Sequence, residues 1–179
     1  MTDKERIAAE LLALRCRRGD QEALRELVRT WEKRLFYYIR RLAPDEESAW
    51  DILQETWMRV LKGIGKLENP RSLGPWLYTI ARRRIMDHLR IAYADPAHDA
   101  AEVEPRDIPA PEPDDFDAER VHDCLATLSA PHREALTLHF LEDFTIEEIS
   151  EILDIPPGTV KSRLFHARRA LRAVMEREV

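Results

Sequence analysis

From Pro157 to Arg172 the sequence PGTVKSRLFHARRALR holds five Lys or Arg and no acid. These residue types suit nucleic-acid contact better than bond-making chemistry. Lys161, Arg163, Arg169 and Arg172 offer cations to phosphates. Thr159, Ser162 and His166 bring hydroxyl and imidazole groups to base edges, and Phe165 brings a ring able to touch a thymine methyl. At about 100° per residue, Val160, Leu164, Ala167 and Leu171 fall within about 60° of one another and should bury. Lys161, Ser162, Phe165, His166, Arg169 and Arg172 lie opposite, with Arg163 and Arg168 on the flanks.

The stretch before it, TIEEISEILDIP, is acidic. Thr145 and Glu148 are spaced as a capping box, and Ile146, Ile149 and Leu153 mark a short helix with one buried face. DIPPG interrupts that helix, and Pro157 suits the first turn of the next, where its missing N–H needs no partner. Two short helices joined by a tight turn form a helix-turn-helix unit whose second helix enters the DNA major groove. A solvated basic face is the plainer alternative; the capped helix and tight turn argue against it.

Side chains that could break bonds are poorly arranged to do so. Asp87 and His88, adjacent on a helix, point about 100° apart and cannot share a small site without outside partners. Cys124 with His122 or His132 is the other pair considered. The sequence has no Gly-rich phosphate loop. Cys16 and Cys124 are too far apart for a metal-ligand motif, form no disulfide scaffold and fit a reducing cytoplasm. The expectation is a protein that is not an enzyme, with no metal, cofactor or small-molecule substrate.

Helical periodicity dominates the positioning elements, so the fold class is all-α. Helices are expected over about residues 4–18, with Thr2 and Glu5 as a capping box and Gly19 as a stop, and over 21–42, capped by Asp20. A third runs from Asp45 to about residue 62. GIGKLENPRS (63–72) reads as a loop. Ser72 is expected to cap a helix reaching residue 93, whose Leu77, Ile80, Ala81 and Ile85 face the core. Four more are expected over about 116–128, 131–142, 145–153 and 157–175. Trp31, Phe36, Tyr37, Tyr38, Trp50 and Trp57 are expected mainly in the core.

Charge is unevenly distributed. The chain of 179 residues has a formal charge of -6, but residues 94–119 hold ten acids against Arg106, which makes -9 there and +3 elsewhere. Residues 94–117 also carry five of the eleven Pro. This composition predicts a flexible acidic, Pro-rich linker between two small helical domains, 1–93 and 118–179. No apolar stretch approaches the ~20 residues that span a bilayer, and no basic segment leads into an apolar run at the N-terminus. A soluble protein without membrane insertion is expected.

The segment LSAPHREALTLHFLEDFTIEEISEIL followed by GTVKSRLFHARRALR resembles region 4 of bacterial sigma factors of the extracytoplasmic-function group (ECF, group 4 of the sigma-70 family). GDQEALRELVRTWEKRLFYYIRRL, DILQETWMRVLKGI and PWLYTIARRRIMDHLR resemble region 2 of the same family. The resemblance implies a cytoplasmic, bacterial transcription factor that binds core RNA polymerase and directs promoter-specific initiation. Its helix-turn-helix would read the minus-35 element through Thr159, Lys161, Ser162, Arg163, Phe165, His166, Arg169 and Arg172. His166 stands where many members carry Arg, and a neutral imidazole lacks the bidentate fork that suits guanine.

Region 2 would recognise and melt the minus-10 element. The loop 69–73, with Asn69, Arg71 and Ser72, would capture a base flipped from the non-template strand. Trp76, Tyr78, Arg82, Arg83, Arg84 and Arg90 would hold the strand, with Arg83 where Asn commonly stands. Base extrusion costs a few kcal/mol, offset by stacking worth ~1 to 3 kcal/mol per base. Asp51, Gln54, Glu55 and Arg59 would dock on the clamp of the largest polymerase subunit, and region 4 on the flap of the second-largest. An anti-sigma factor is the further partner implied. The rival reading is a helix-turn-helix regulator that binds operators without polymerase, for which DILQETWMRV and the basic helix after it would be superfluous.

Overall fold

The structure, a computed structural model, describes residues 3–94 and 125–177. Residues 95–124 lie outside it, and with them nearly all of the expected linker and most of the helix expected over 116–128. Seven helices follow in order: α1 (Asp3–Arg17), α2 (Gln21–Leu42), α3 (Glu46–Gly63), α4 (Leu73–Ala94), α5 (Ala130–Leu136), α6 (Ile146–Leu153) and α7 (Pro157–Arg177). Among the described residues there is no strand.

Local chemistry sets the boundaries. Gly19, at φ +79°, turns the chain out of α1, where a side chain would be strained. Asp20 then accepts from the Glu22 and Ala23 amides to cap α2. Asp45 caps α3 through the Ser48 amide. The loop expected over 63–72 is tighter than its composition suggested, with 3₁₀ turns at Ile64–Lys66 and Pro70–Ser72. Ser72 is not the cap: Asn69 accepts from the Arg71 amide and donates to the Ser72 hydroxyl at 3.0 Å, and the turn runs straight into α4. The longer amide side chain spans the turn, and Ser72 falls inside it.

Apolar faces assemble these helices into a core. Leu27, Trp31, Leu35, Tyr38 and Ile39 of α2 pack with Ile52 of α3 and Leu73, Leu77, Tyr78, Ala81 and Ile85 of α4. Each of these side chains is buried, and full burial contributes roughly 1.5–3 kcal/mol per large apolar group. Trp31, Tyr38 and Trp57 are buried as expected, whereas Trp50 is 51% exposed and stacks on Phe36 at 4.0 Å.

The C-terminal helices form a second layer on the first. Leu138, Ile149, Ile152, Leu153, Val160, Leu164 and Ala167 bury against one another, contiguous with the N-terminal core. After α5 the chain widens into a π-helical segment, Thr137–Leu141, closed by a Glu142 amide bond to the Thr137 carbonyl at 3.1 Å. Asp143 then takes a left-handed φ of 56°. This turn pushes the Phe144 ring against Tyr78, with centroids 4.9 Å apart. Gly74 permits the approach, because a Cβ there would lie 3.1 Å from Phe144 and 3.2 Å from Trp31.

Candidate nucleic-acid interface

The helix-turn-helix geometry follows from its caps. Thr145 accepts from the Glu148 amide and the Glu148 carboxylate accepts from the Thr145 amide at 2.8 Å, which completes the capping box. Asp154, at φ 53°, ends α6 in a left-handed turn, and Ser150 donates to the Ile155 carbonyl to pin it. Pro157 opens α7. Val160, Leu164 and Ala167 then anchor α7 to the core, Leu171 being only partly buried. Thr159, Lys161, Ser162, Phe165, His166, Arg169 and Arg172 are therefore exposed, with Arg163 half-buried at their edge. Arg168 stacks over the Phe140 ring at 4.8 Å. One open surface thus combines cations, hydroxyls, an imidazole and an aromatic ring, the mixture that phosphate and base-edge contact requires.

The second basic surface lies on α4. Asn69, Ser72, Trp76 and Arg83 line one cavity of about 390 Å³ with Lys66 and Glu151. The 3₁₀ turn supplies the first two and the outer face of α4 the next two. Arg90 is exposed on α4 and lies 3.4 Å from Asp87. Arg71 is exposed and pairs with Glu10 at 3.2 Å.

Two arginines and a tyrosine sit differently from their sequence expectation. Tyr78 is not on the DNA-facing side: it is fully buried, ringed by Trp31, Tyr38 and Phe144. Its helical position belongs with Leu77, Ala81 and Ile85, the core stripe. Burial first, and then Glu142, raise its phenol well above the usual range. Arg84 turns toward α3, with Asp87 as ion-pair partner and Glu55 at 4.0 Å. Arg82 faces the C-terminal unit, 3.1 Å from Glu134. Arg34, outside the predicted set, bonds the Glu142 carboxylate at 2.8 Å and its carbonyl at 3.1 Å.

The third surface is α3. Asp51, Gln54 and Arg59 are exposed, whereas Glu55 leans toward α4, 3.9 Å from His88. Beside them stand Trp50, Met58 and Leu61, exposed apolar side chains aligned with Gln54 at helical spacing. They were missed as interface candidates, although their four- and three-residue intervals are visible in the sequence.

Asp87 pairs with Arg84 and Arg90, and His88 lies 3.9 Å from Glu55. Among the described residues no group of three or more His, Cys, Asp or Glu could hold a metal ion. No helix among them is long and apolar enough to cross a membrane.

Comparison with known proteins identifies the family. The family model "Sigma-70 region 2" matches residues 27–92, and "Sigma-70, region 4" matches residues 118–171. RNA polymerase sigma-H factor of Pseudomonas aeruginosa is 31% identical over 179 aligned residues, covering 92% of each chain. ECF RNA polymerase sigma factor SigL of Mycobacterium tuberculosis is 32% identical, covering 79% of this chain and 82% of its own. In fold, the chain is similar to sigma factor RpoE of Bartonella quintana, solved with the anti-sigma factor NepR. The TM-score is 0.71 at 23% identity over 85% of this chain and 96% of that one. CnrH, solved with the cytosolic domain of CnrY, gives 0.69 at 20% identity over 96% and 99%. With two regions matched in order and relatives aligned almost end to end, the chain belongs to the sigma-70 family of RNA polymerase sigma factors, in its extracytoplasmic-function group.

Proposed function

We propose that this chain is the promoter-specificity subunit of a bacterial RNA polymerase. In this reading residues 1–93 bind the polymerase and the minus-10 element, 94–117 connect, and 118–179 read the minus-35 element. The observation that carries it is the exposed face of α7, where Lys161, Ser162, Phe165, His166, Arg169 and Arg172 project together from a capped helix-turn-helix. Side chains fixed on a rigid helix hold base contacts in register, and their cations supply the sequence-independent attraction.

On α4 the cavity lined by Asn69, Ser72, Trp76 and Arg83 is the place for an extruded minus-10 base, with Trp76 as stacking surface and Arg71 and Arg90 as phosphate cations. Arg82 and Arg84 join them only when their carboxylate partners are released. Asp51, Gln54 and Arg59 dock on the clamp, and Trp50, Met58 and Leu61 give that interface an apolar centre. The protein works in the cytoplasm, beside its polymerase, and performs no catalysis of its own. An anti-sigma factor is its natural antagonist, a reading supported by the similar structure of sigma factor RpoE bound to the anti-sigma factor NepR. A regulator acting without polymerase would need no region 2, so the match over residues 27–92 speaks against it.

Purified chain and core polymerase, run together on gel filtration and then supplied with genomic templates, test the proposal. Co-elution and new transcript starts that share two upstream motifs are expected. Binding to DNA with no polymerase association would overturn it.

A further inference from the structure

Helix α1 is apolar on two sides. Leu12, Ala13 and Cys16 bury one side against the core, yet on the other Ile7 is 59% exposed, Leu11 57% and Leu14 36%. At about 100° per residue, Lys4, Ile7, Ala8, Leu14 and Arg15 all fall within about 60° of Leu11, and each is exposed. Arg18, one residue past the helix end, is exposed too and continues the line. From Lys4 to Arg17 no acid stands on this face. Glu5 and Glu10 are turned away from Leu11 by about 100° or more, and Glu10 meets Arg71 at 3.2 Å. Arg15 is held by Asp20 and Glu26, so Lys4 and Arg18, at the two ends of the apolar row, supply the charge of the face.

We propose that this face of α1 adsorbs to anionic lipid. The apolar row sinks among the acyl chains just below the headgroups, while Lys4 and Arg18 engage lipid phosphates. A helix that lies in a membrane interface has an apolar stripe bordered by cations, whose long stems reach along it to the headgroup level. Other occupants fit the same face poorly. A second copy laid on it, parallel or antiparallel, would set the terminal cations against one another. A protein groove that takes up a helix encloses more of it than is open here, because α1 already rests on α2, α4 and both 3₁₀ turns. A flat anionic surface with an apolar layer beneath it reaches the whole exposed arc without moving the helix.

Adsorption of this kind is peripheral. Three large apolar side chains hold no more firmly than a single acyl chain, which attaches a protein reversibly. No helix among the described residues is long and apolar enough to go further and cross. The face shares no residue with the surfaces assigned above to DNA and to polymerase, so the site is separate from both. It divides the chain between the membrane surface and solution by mass action, in proportion to the anionic lipid presented.

The test sediments the full chain with extruded vesicles of phosphatidylglycerol and phosphatidylcholine in equal parts, and with vesicles of phosphatidylcholine alone. The unaltered chain should pellet with the mixed vesicles and stay in solution beside the neutral ones. Leu11→Gln with Leu14→Gln removes apolar surface, leaves charge and helix propensity in place, and should lower the partition coefficient at least about tenfold. Lys4→Ala with Arg18→Ala should lower it about 25-fold, from about fivefold for each cation lost near the headgroups. Because the basic face of α7 also attracts anionic vesicles, the glutamine pair is repeated in a Lys161→Ala, Arg169→Ala background, where its effect should persist. Binding that the glutamine pair leaves unchanged in both backgrounds is charge attraction alone and overturns the proposal. Equal pelleting with both kinds of vesicle overturns the part given to Lys4 and Arg18. Pelleting with neither overturns adsorption to lipid and leaves the face to an acidic protein surface.

Discussion

Lys161→Ala combined with Arg169→Ala removes two exposed cations from the outer face of α7 while Val160, Leu164 and Ala167 keep their places in the core. Each phosphate neutralised on duplex DNA contributes about 0.9 to the slope of log affinity against log salt, so losing two makes that slope shallower by about 1.8. Between 50 and 200 mM KCl, a fourfold rise, the unaltered protein should therefore lose about twelvefold more affinity than the double variant. Phe165→Ala is the contrasting substitution. It deletes a base-directed ring and no charge, so specific affinity falls by about 1–3 kcal/mol with the slope unchanged. Fluorescence anisotropy of reconstituted holoenzyme on a promoter fragment, titrated across that salt range, reads both quantities. An unchanged slope in the double variant would refute the docking of α7 on phosphates. A changed slope for Phe165→Ala would refute the division between positioning and reading.

Asp51→Ala with Gln54→Ala should weaken assembly with core polymerase at least about tenfold, the range of a central interface position, with helicity unchanged by circular dichroism; normal co-elution would exclude α3 as the docking face. Trp50→Ala should do the same, since the exposed ring rests on Phe36 rather than in the core. Thr145→Ala removes the acceptor for the Glu148 amide and should lower stability by about 1 kcal/mol, seen as an earlier thermal transition. Burial raises the Glu142 carboxyl above its ordinary 4.5, while Tyr78 and Arg34 pull it back and Asp143 adds to the rise. Above pH 4.5 the folded chain therefore binds more protons at Glu142 than the unfolded one, and this site's contribution to stability falls as pH rises through the raised value. Thermal transitions measured across that range should record the trend, and Glu142→Gln should flatten it.

Much of the architecture is legible because it rests on local rules. Asp20, Asp45 and the Thr145–Glu148 pair mark helix starts through side-chain acceptors that need no tertiary context. The burial of Val160, Leu164 and Ala167 follows from their spacing, and so does the exposure of Lys161 and Arg169. Tyr78 escapes that reasoning: the resemblance sets it among the strand-holding residues, although its register with Ala81 and Ile85 places it inside. Arg82 and Arg34 fail for another reason. Their partners Glu134 and Glu142 lie 52 and 108 positions away, and no local pattern says which distant carboxylate a given guanidinium meets. The π-helical segment that delivers Glu142 was hidden as well, since Thr137–Leu141 reads as ordinary helix.

The change from acid to base along residues 145–172 acquires a physical sense once the helices are packed. Glu148 lies 3.7 Å from Arg6, and Glu151 joins the cavity of Arg83; Glu134 and Glu142 add two more carboxylates toward the N-terminal unit. Lys161 and Arg169 face away from it. The C-terminal unit therefore turns several carboxylates toward its own chain while the outer face of α7 presents cations to solvent, and the modest net charge conceals both. Carboxylates at the contact pair with Arg34 and Arg82, while Lys161 and Arg169 stay on the exposed face of α7. A uniformly basic unit would instead be repelled by the arginines of α2 and α4. The placement of charge, rather than its sum, lets one small unit pack on a basic neighbour and still present basic side chains to solvent.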